Sequence, residues 1–120
     1  MPELMRLEHH EHYLHAEVTG PFDLENAQGF FATVVAECAK HGYAAVLIDS
    51  RRVTGDIPIV ARYAFGRFVT TAQERPLRIA LVGSPAHLHP NRSIETVVGE
   101  QGGAIKITTD MEDALLWLGA

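Results

Sequence analysis

The segment that most constrains the fold is the apolar run Ala44–Ile48, which offers no polar side chain to either face of a strand. A strand that is apolar on both faces has to be covered on both sides, so it belongs in the centre of a sheet. Polar residues from Asp49 to Arg52 follow it directly, and a helix start follows at Asp56-Ile57-Pro58. The pattern predicts an α/β sheet with polar side chains at the carboxyl end of its central strand, where such sheets meet ligands and partners.

Length and composition predict a single domain, residues 1–120, because 120 residues with a hydrophobic content of 47% can bury one core. The longest apolar runs are of strand length, which predicts no transmembrane segment. The N-terminus has no basic region followed by an apolar core, and the single cysteine, Cys38, has no internal disulfide partner. These features favour a cytoplasmic location.

Hydrophobic periodicity predicts the other elements. The chain begins with a hairpin of Leu4–His9 and Tyr13–Thr19 that ends at Gly20-Pro21, followed by a helix with its apolar stripe from Ala27 to Cys38. After the central strand come a second helix with its stripe from Ala61 to Ala72 and a strand Arg78–Val82. A third helix from about Pro90 to Val98, an edge strand around Ile105 and Ile107, and a final helix capped by Asp110 complete the chain. The order β-β-α-β-α-β-α-β-α predicts a mostly parallel five-stranded sheet with an antiparallel edge strand.

This order of elements, the acidic residue that ends the central strand, the strand Arg78-Ile79-Ala80-Leu81-Val82-Gly83 and the closing Asp113-Ala114-Leu115-Leu116-Trp117-Leu118 together resemble the SpoIIAA-like branch of the STAS superfamily. The resemblance covers nearly the whole chain. It implies a SpoIIAA-like fold and a bacterial regulatory domain that binds another protein instead of turning over a substrate.

The resemblance also directs attention to the start of the second helix. In the anti-sigma-factor antagonists of this superfamily, a serine there is phosphorylated to control partner binding. This chain has Gly55-Asp56-Ile57-Pro58 at the corresponding place, and no serine stands there. We therefore expect the phosphorylation switch to be missing, with Asp56 placing a fixed negative charge at the helix start as a cap.

The outer positions of the second helix are the predicted docking surface for a protein partner. Arg62, Tyr63, Gly66 and Arg67 lie there, and Asp56 precedes them. Tyrosine and arginine are enriched in interface hot spots, and a glycine lets a partner approach closely. The net charge of the chain is -5, which argues against nucleic acid as the partner, but residues 51–78 carry +4. The alternatives are a homodimer, in which this basic helix meets an acidic patch of a second copy, and a merely solvated helix face.

A second hypothesis places a small molecule or anion, with or without catalysis, in a cleft at the carboxyl ends of the strands. If the sheet is parallel, the loops after residues 49, 84 and 108 emerge at the same edge. The candidate ligand-binding residues are Asp49, Arg51, Arg52, His87, His89 and Arg92. Asn91 and Ser93 in the second loop are also ordinary helix-capping residues, which is the competing explanation for it. The sequence has no nucleophile motif and no glycine-rich phosphate loop, so we predict no cofactor and favour a non-catalytic domain.

Four histidines, His9, His10, His12 and His15, surround the hairpin turn. On a strand His10 and His12 point the same way, and such an H-x-H pair can bind Zn²⁺. No convincing third ligand follows in the sequence, so we predict a solvent-exposed turn and no metal site.

Overall fold

The computed structural model describes residues 4–58, 60–61, 64–65, 67–68, 77–84 and 104–119. It contains a five-stranded sheet in the order β1-β2-β3-β4-β5. The strands are β1 Leu4–His9, β2 Leu14–Pro21, β3 Ala45–Thr54, β4 Arg78–Val82 and β5 Ala104–Thr108. β1 pairs antiparallel with β2, and the other neighbouring strands pair in parallel. The predicted sheet, mostly parallel with an antiparallel edge strand, is confirmed.

Two complete helices accompany the sheet in the described part of the chain, α1 Leu24–His41 and α2 Met111–Leu118. Positions 60–61, 64–65 and 67–68 are also helical, which agrees with the predicted second helix, whereas the predicted third helix near 90–98 lies outside the described residues. No described helix is long and apolar enough to cross a membrane.

The ends of α1 and α2 follow from their capping residues. The side chains of Asp23 and Asp110 accept hydrogen bonds from backbone amides of the first turns of α1 and α2, each at 3.0 Å. Gly42 and Gly119 end the same helices with φ angles of 75° and 82°. Glycine reaches this left-handed region without strain, so each helix stops at its glycine.

Strand β3 is covered on both faces, as its apolar run predicts. Val46 and Ile48 belong to one buried cluster, which also contains Phe31 and Val34 of α1. Leu47 points to the opposite face and belongs to a second cluster beneath α2, with Ala80, Val82 and Ala114 as its other buried members. The core therefore consists of two apolar layers that share β3 and β4.

The structure extends two strands beyond their predicted ends. β3 runs to Thr54 instead of stopping at Ile48, and β2 includes the Gly20-Pro21 pair that was expected to end it. Both extensions occur because β2 and β3 continue to pair, up to Pro21 opposite Thr54. Gly20 adopts a φ angle of 103°, and Pro21, which has no backbone N–H to donate, is the last residue of β2.

We expect Phe31→Ala to destabilise the protein strongly. Phe31 is 2% exposed, and its ring lies 6.1 Å from that of Phe65 and 6.3 Å from that of Phe68, both with edge-to-face geometry. Removing a buried phenyl ring costs about 3–5 kcal/mol. Urea unfolding measures this cost, with Val60→Ala as the control because Val60 is 77% exposed. Equal stabilities of the two variants would contradict this packing.

Candidate functional site

Three parallel strands are aligned at one edge of the sheet, which we call the carboxyl rim. Asp49 of β3, Val82 of β4 and Thr108 of β5 occupy neighbouring register positions. The Gly83 amide donates to the Thr108 carbonyl at 3.0 Å, and the Ser50 hydroxyl donates to the Val82 carbonyl at 3.0 Å. β4 and β5 therefore end side by side, while β3 continues past them alongside β2.

A β-bulge shapes β3 at this rim. Between Glu17 and Thr19, β2 advances by two residues while β3 advances by three, from Asp49 to Arg52. The extra residue reverses which face of the sheet the later residues of β3 occupy. Val53 consequently joins the same buried cluster as Ile48, although regular alternation would have put it on the other face.

Asp49 is the buried charged residue at the rim, with 6% of its surface exposed. The guanidinium of Arg51 makes a bidentate contact with the Asp49 carboxylate: Nε donates to Oδ1 and Nη2 donates to Oδ2, each at 2.9 Å. The Arg51 backbone amide also donates to Oδ1, at 3.1 Å. Both oxygens are therefore engaged by a neighbour only two residues away along the bulged strand.

This pair determines the protonation of Asp49. Burial alone raises the pKa of the carboxyl group, but the hydrogen bonds and charge of Arg51 outweigh burial, so the pKa lies below its usual value. His15 lowers the pKa of Asp49 further through its charge. The same pairing raises the pKa of Arg51. Asp49 is consequently ionised at neutral pH, and both of its carboxylate oxygens accept hydrogen bonds from Arg51.

The structure brings some of the predicted ligand-binding residues together. Asp49 and Arg51 are in direct contact, so the guanidinium of Arg51 is directed at Asp49. Arg52, the next residue, is exposed. His87, His89 and Arg92 lie outside the described residues.

The exposed helix face after β3 is the second candidate surface. Ala61 is buried, and Phe65 and Phe68 pack against the core. Val60 is 77% exposed and Arg67 is also exposed. Residues seven apart lie on the same side of a helix, so Val60 and Arg67 share one outward face.

Of the predicted docking residues, Asp56 is exposed in the loop between β3 and this helix. Arg62, Tyr63 and Gly66 lie outside the described residues. Sequence reasoning missed Val60, although its spacing from Arg67 placed it on the same face.

Two groups of potential metal ligands lie near the hairpin turn, and neither was predicted. One consists of Glu8, His10 and His15, and the other of His9, Glu37 and His41; within each group the ligand atoms lie within 4.8 Å of one another. His12 takes part in neither: its side chain is 75% exposed and lies 3.9 Å from Glu11. The first group depends on the cross-strand pairing of Glu8 with His15, which the predicted hairpin could have indicated.

Solved structures show what the fold resembles. An anti-sigma factor antagonist from Mycobacterium paratuberculosis superimposes with a TM-score of 0.62 at 18% identity, over 99% of this chain and 96% of that one. An uncharacterized protein of the DUF3478 family with a SpoIIAA-like fold, from Shewanella loihica, superimposes with a TM-score of 0.54 at 21% identity, over 97% and 93%. No protein-family model and no curated protein matches the sequence. The chain has the SpoIIAA-like fold that its resemblance to the STAS superfamily implied.

We expect Arg51→Gln to lower the free energy of unfolding by about 1–2 kcal/mol at pH 7. The change leaves the buried Asp49 carboxylate without its charged partner, and the partial exposure of Arg51 keeps the cost below that of a fully buried pair. The matched control is Arg52→Gln, which alters an exposed neighbour and should cost less than about 0.5 kcal/mol.

The same pair has a predictable pH dependence. Because the folded-state pKa of Asp49 lies below the unfolded value, near 3.9, the stabilisation is complete above that value and is lost as the pH falls through the folded pKa. Urea unfolding across this acid range should show the difference between wild type and Arg51→Gln shrinking. A constant difference would show that Asp49 is not the group responsible.

Proposed function

We propose that this chain is a non-catalytic, cytoplasmic regulatory domain of the STAS type. In this proposal it binds a protein partner through the predicted second helix, which contains positions 60–61, 64–65 and 67–68 and precedes β4, and through the loop before that helix. One observation carries the proposal: Val60, a large apolar residue, is 77% exposed on the same helix face as Arg67. Phe65 and Phe68 attach the opposite side of this helix to the core through Phe31. The outward face thus belongs to a helix that packs against the core.

The composition of this face suits a protein partner with an acidic surface around an apolar patch. Helical spacing predicts Tyr63 between Val60 and Arg67 on the same side, and aromatic and arginine residues supply most of the energy of protein interfaces. Residues 51–78 carry a net charge of +4 in a chain of net charge -5. Such a local positive surface speeds association with an acidic partner and excludes basic ones.

The described residues of catalytic type favour binding over catalysis. Asp49 has both carboxylate oxygens bonded to Arg51, so a substrate proton would have to compete with a charged donor. Burial raises the pKa of Cys38 to about 11, which keeps its thiol protonated and unreactive at neutral pH.

Regulation by phosphorylation at the helix start is not part of the proposal. The resemblance to the anti-sigma-factor antagonists implies that Gly55-Asp56 corresponds to the helix start where those proteins carry their serine, and both residues are exposed here. Asp56 therefore gives a partner a permanent negative charge at this point. The structural neighbour named an anti-sigma factor antagonist acts, by its name, on a regulatory protein, and we propose a partner of the same general kind here.

We expect the double variant Arg62→Glu/Arg67→Glu to lose its protein partner. Reversing two charges at the predicted outer positions of this helix should weaken binding at least tenfold, since each 1.4 kcal/mol of binding energy is a factor of ten and hot-spot residues contribute about 2 kcal/mol or more. The partner is first isolated with the wild-type chain from the native host. Its affinity for purified wild-type and variant chains is then measured by calorimetry.

Lys40→Glu is the matched control, because Lys40 is an exposed basic residue at the end of α1 and lies outside the proposed face. Circular dichroism and thermal unfolding establish that both proteins fold. Equal affinities of the double variant and the control would refute the proposed face. If the partner is a second copy of this chain, sedimentation shows a salt-dependent dimer that the double variant lacks.

The carboxyl rim supports a second candidate function, the binding of an anion. The observation in its favour is that Arg52 is exposed beside strand ends that are aligned in register. Its disadvantage is that the Arg51 guanidinium is already bonded to Asp49.

A thermal-shift series with inorganic phosphate and small carboxylates tests this second function. A ligand present at 100 times its Kd stabilises the folded state by about 2.7 kcal/mol. Under the anion hypothesis the shift should be lost in Arg52→Gln and Arg92→Gln but retained in Lys40→Glu. If no ligand shifts the wild-type transition, the rim is not an anion site.

A further inference from the structure

Three side chains of metal-ligating type converge at the turn between β1 and β2. They are Glu8 at the end of β1, His10 in the turn and His15 in β2, and their ligand atoms all lie within 4.8 Å of one another. Each contributes one nitrogen or oxygen atom, in the two-histidine, one-carboxylate combination that many protein zinc sites use. We propose that this group, which we call the hairpin triad, binds a divalent transition-metal ion of the Zn²⁺ type.

Both imidazole rings of the hairpin triad have a buried nitrogen without a hydrogen bond. Nε2 of His10 and Nε2 of His15 are buried atoms, and neither has a hydrogen-bond partner. Glu8 Oε1 lies 3.1 Å from His10 Nε2, but the contact does not have hydrogen-bond geometry. Buried polar atoms are nearly always bonded, so two unpaired nitrogens beside a carboxylate need an explanation. A cation held by these three side chains would give the imidazole rings the partner that they lack.

The backbone holds the triad in place. Glu8 and His15 are direct cross-strand partners in the antiparallel pair, so their side chains share one face of the sheet. His10 is fixed by its backbone: its amide donates to the Tyr13 carbonyl at 3.1 Å, and its carbonyl accepts from the Tyr43 hydroxyl at 2.6 Å. The ring of His10 also stacks on that of Tyr13, with 4.6 Å between centroids. The turn is tied to the domain, so the ligands need little reorganisation.

The donor set indicates which ions fit. Neutral imidazole prefers zinc, copper, nickel and other transition metals, whereas calcium and magnesium require mostly oxygen ligands. Three protein ligands leave at least one coordination position for water or for a side chain of a partner. The Glu8 side chain is 58% exposed, so an ion can reach the triad from solvent. Binding would clamp edge strand β1 to β2.

The second group, His9 with Glu37 and His41, provides a natural comparison. It offers the same kinds of ligand, but His9 Nε2 and Glu37 Oε2 already form a hydrogen bond of 3.1 Å, and His41 Nε2 lies 3.3 Å from the same oxygen. The hydrogen bond from His9 is the main reason that the pKa of Glu37 lies below its usual value. His9 and Glu37 thus satisfy each other without a metal, whereas Nε2 of His10 and Nε2 of His15 in the hairpin triad have no hydrogen-bond partner.

Titration calorimetry with Zn²⁺ alone tests the inference on the full chain after chelator treatment. We expect one ion per chain, a higher thermal-unfolding temperature with Zn²⁺, and a Co²⁺ absorption spectrum typical of nitrogen and oxygen ligands. Glu8→Gln and His15→Gln should each weaken binding by more than the 10- to 100-fold that loss of a merely supporting residue costs. His41→Gln and His12→Gln are the matched controls and should bind like wild type.

Two outcomes would overturn the inference: absence of stoichiometric Zn²⁺ binding by the wild-type chain, or loss of binding in His41→Gln with retention in Glu8→Gln. Glu8→Gln keeps the test decisive if His15→Gln fails to fold, because the Glu8 side chain is 58% exposed. The test is independent of the proposed partner, since the triad lies at the β1–β2 turn and the docking face follows β3.

Discussion

The burial of β3 on both faces is the constraint on which the other features depend. One face of this strand meets α1 and the other meets α2, so its residues belong to two separate apolar layers. The strand nevertheless carries a charged residue, Asp49, and the cost of burying that carboxylate is offset by the bidentate contact with Arg51. The β-bulge beside this pair returns Val53 to the core, which allows β3 to run on toward the loop before the second helix.

The same arrangement separates the molecule's surfaces. The segment after β3 passes through the exposed Gly55 and Asp56 and then enters the helical positions whose aromatic side chains pack on Phe31. That packing directs Val60 and Arg67 outward. The hairpin turn with its histidines is at the other end of β3, beside the strand's first residues, because Leu14 pairs with Val46. A metal ion and a protein partner would therefore occupy different ends of the domain.

Hydrophobic pattern was sufficient to predict the sheet, because strands covered on both faces and strands covered on one face differ in their periodicity. The extension of β3 to Thr54 was not predictable in this way, since polar residues such as Ser50 and Arg52 are equally typical of a loop. The bulge depends on pairing with β2, which is a contact between distant parts of the chain.

The candidate sites, like the strands, were predictable only where they depend on residues close together in the sequence. Asp49 and Arg51 were predicted to line one cleft, but their direct contact, which engages both carboxylate oxygens of Asp49, was not predicted. The hairpin triad was not predicted, because the H-x-H spacing of His10 and His12 is visible in the sequence whereas the position of His15 opposite Glu8 depends on the antiparallel register. Such register is set by the turn and by neighbouring strands, so it is weakly encoded in any short motif.

The central claim is that this domain acts through the exposed helix face, and site-specific photocrosslinking in the native host tests it most directly. Val60 and Leu116 are a matched pair for this purpose, because they are the exposed large hydrophobic residues of the described chain, at 77% and 72%. A photoreactive residue at position 60 should join the chain to a discrete protein, and the Arg62→Glu/Arg67→Glu changes should abolish that product, while position 116 should give none. Crosslinking from position 116 alone, or a product at position 60 that survives the charge reversal, would contradict the account.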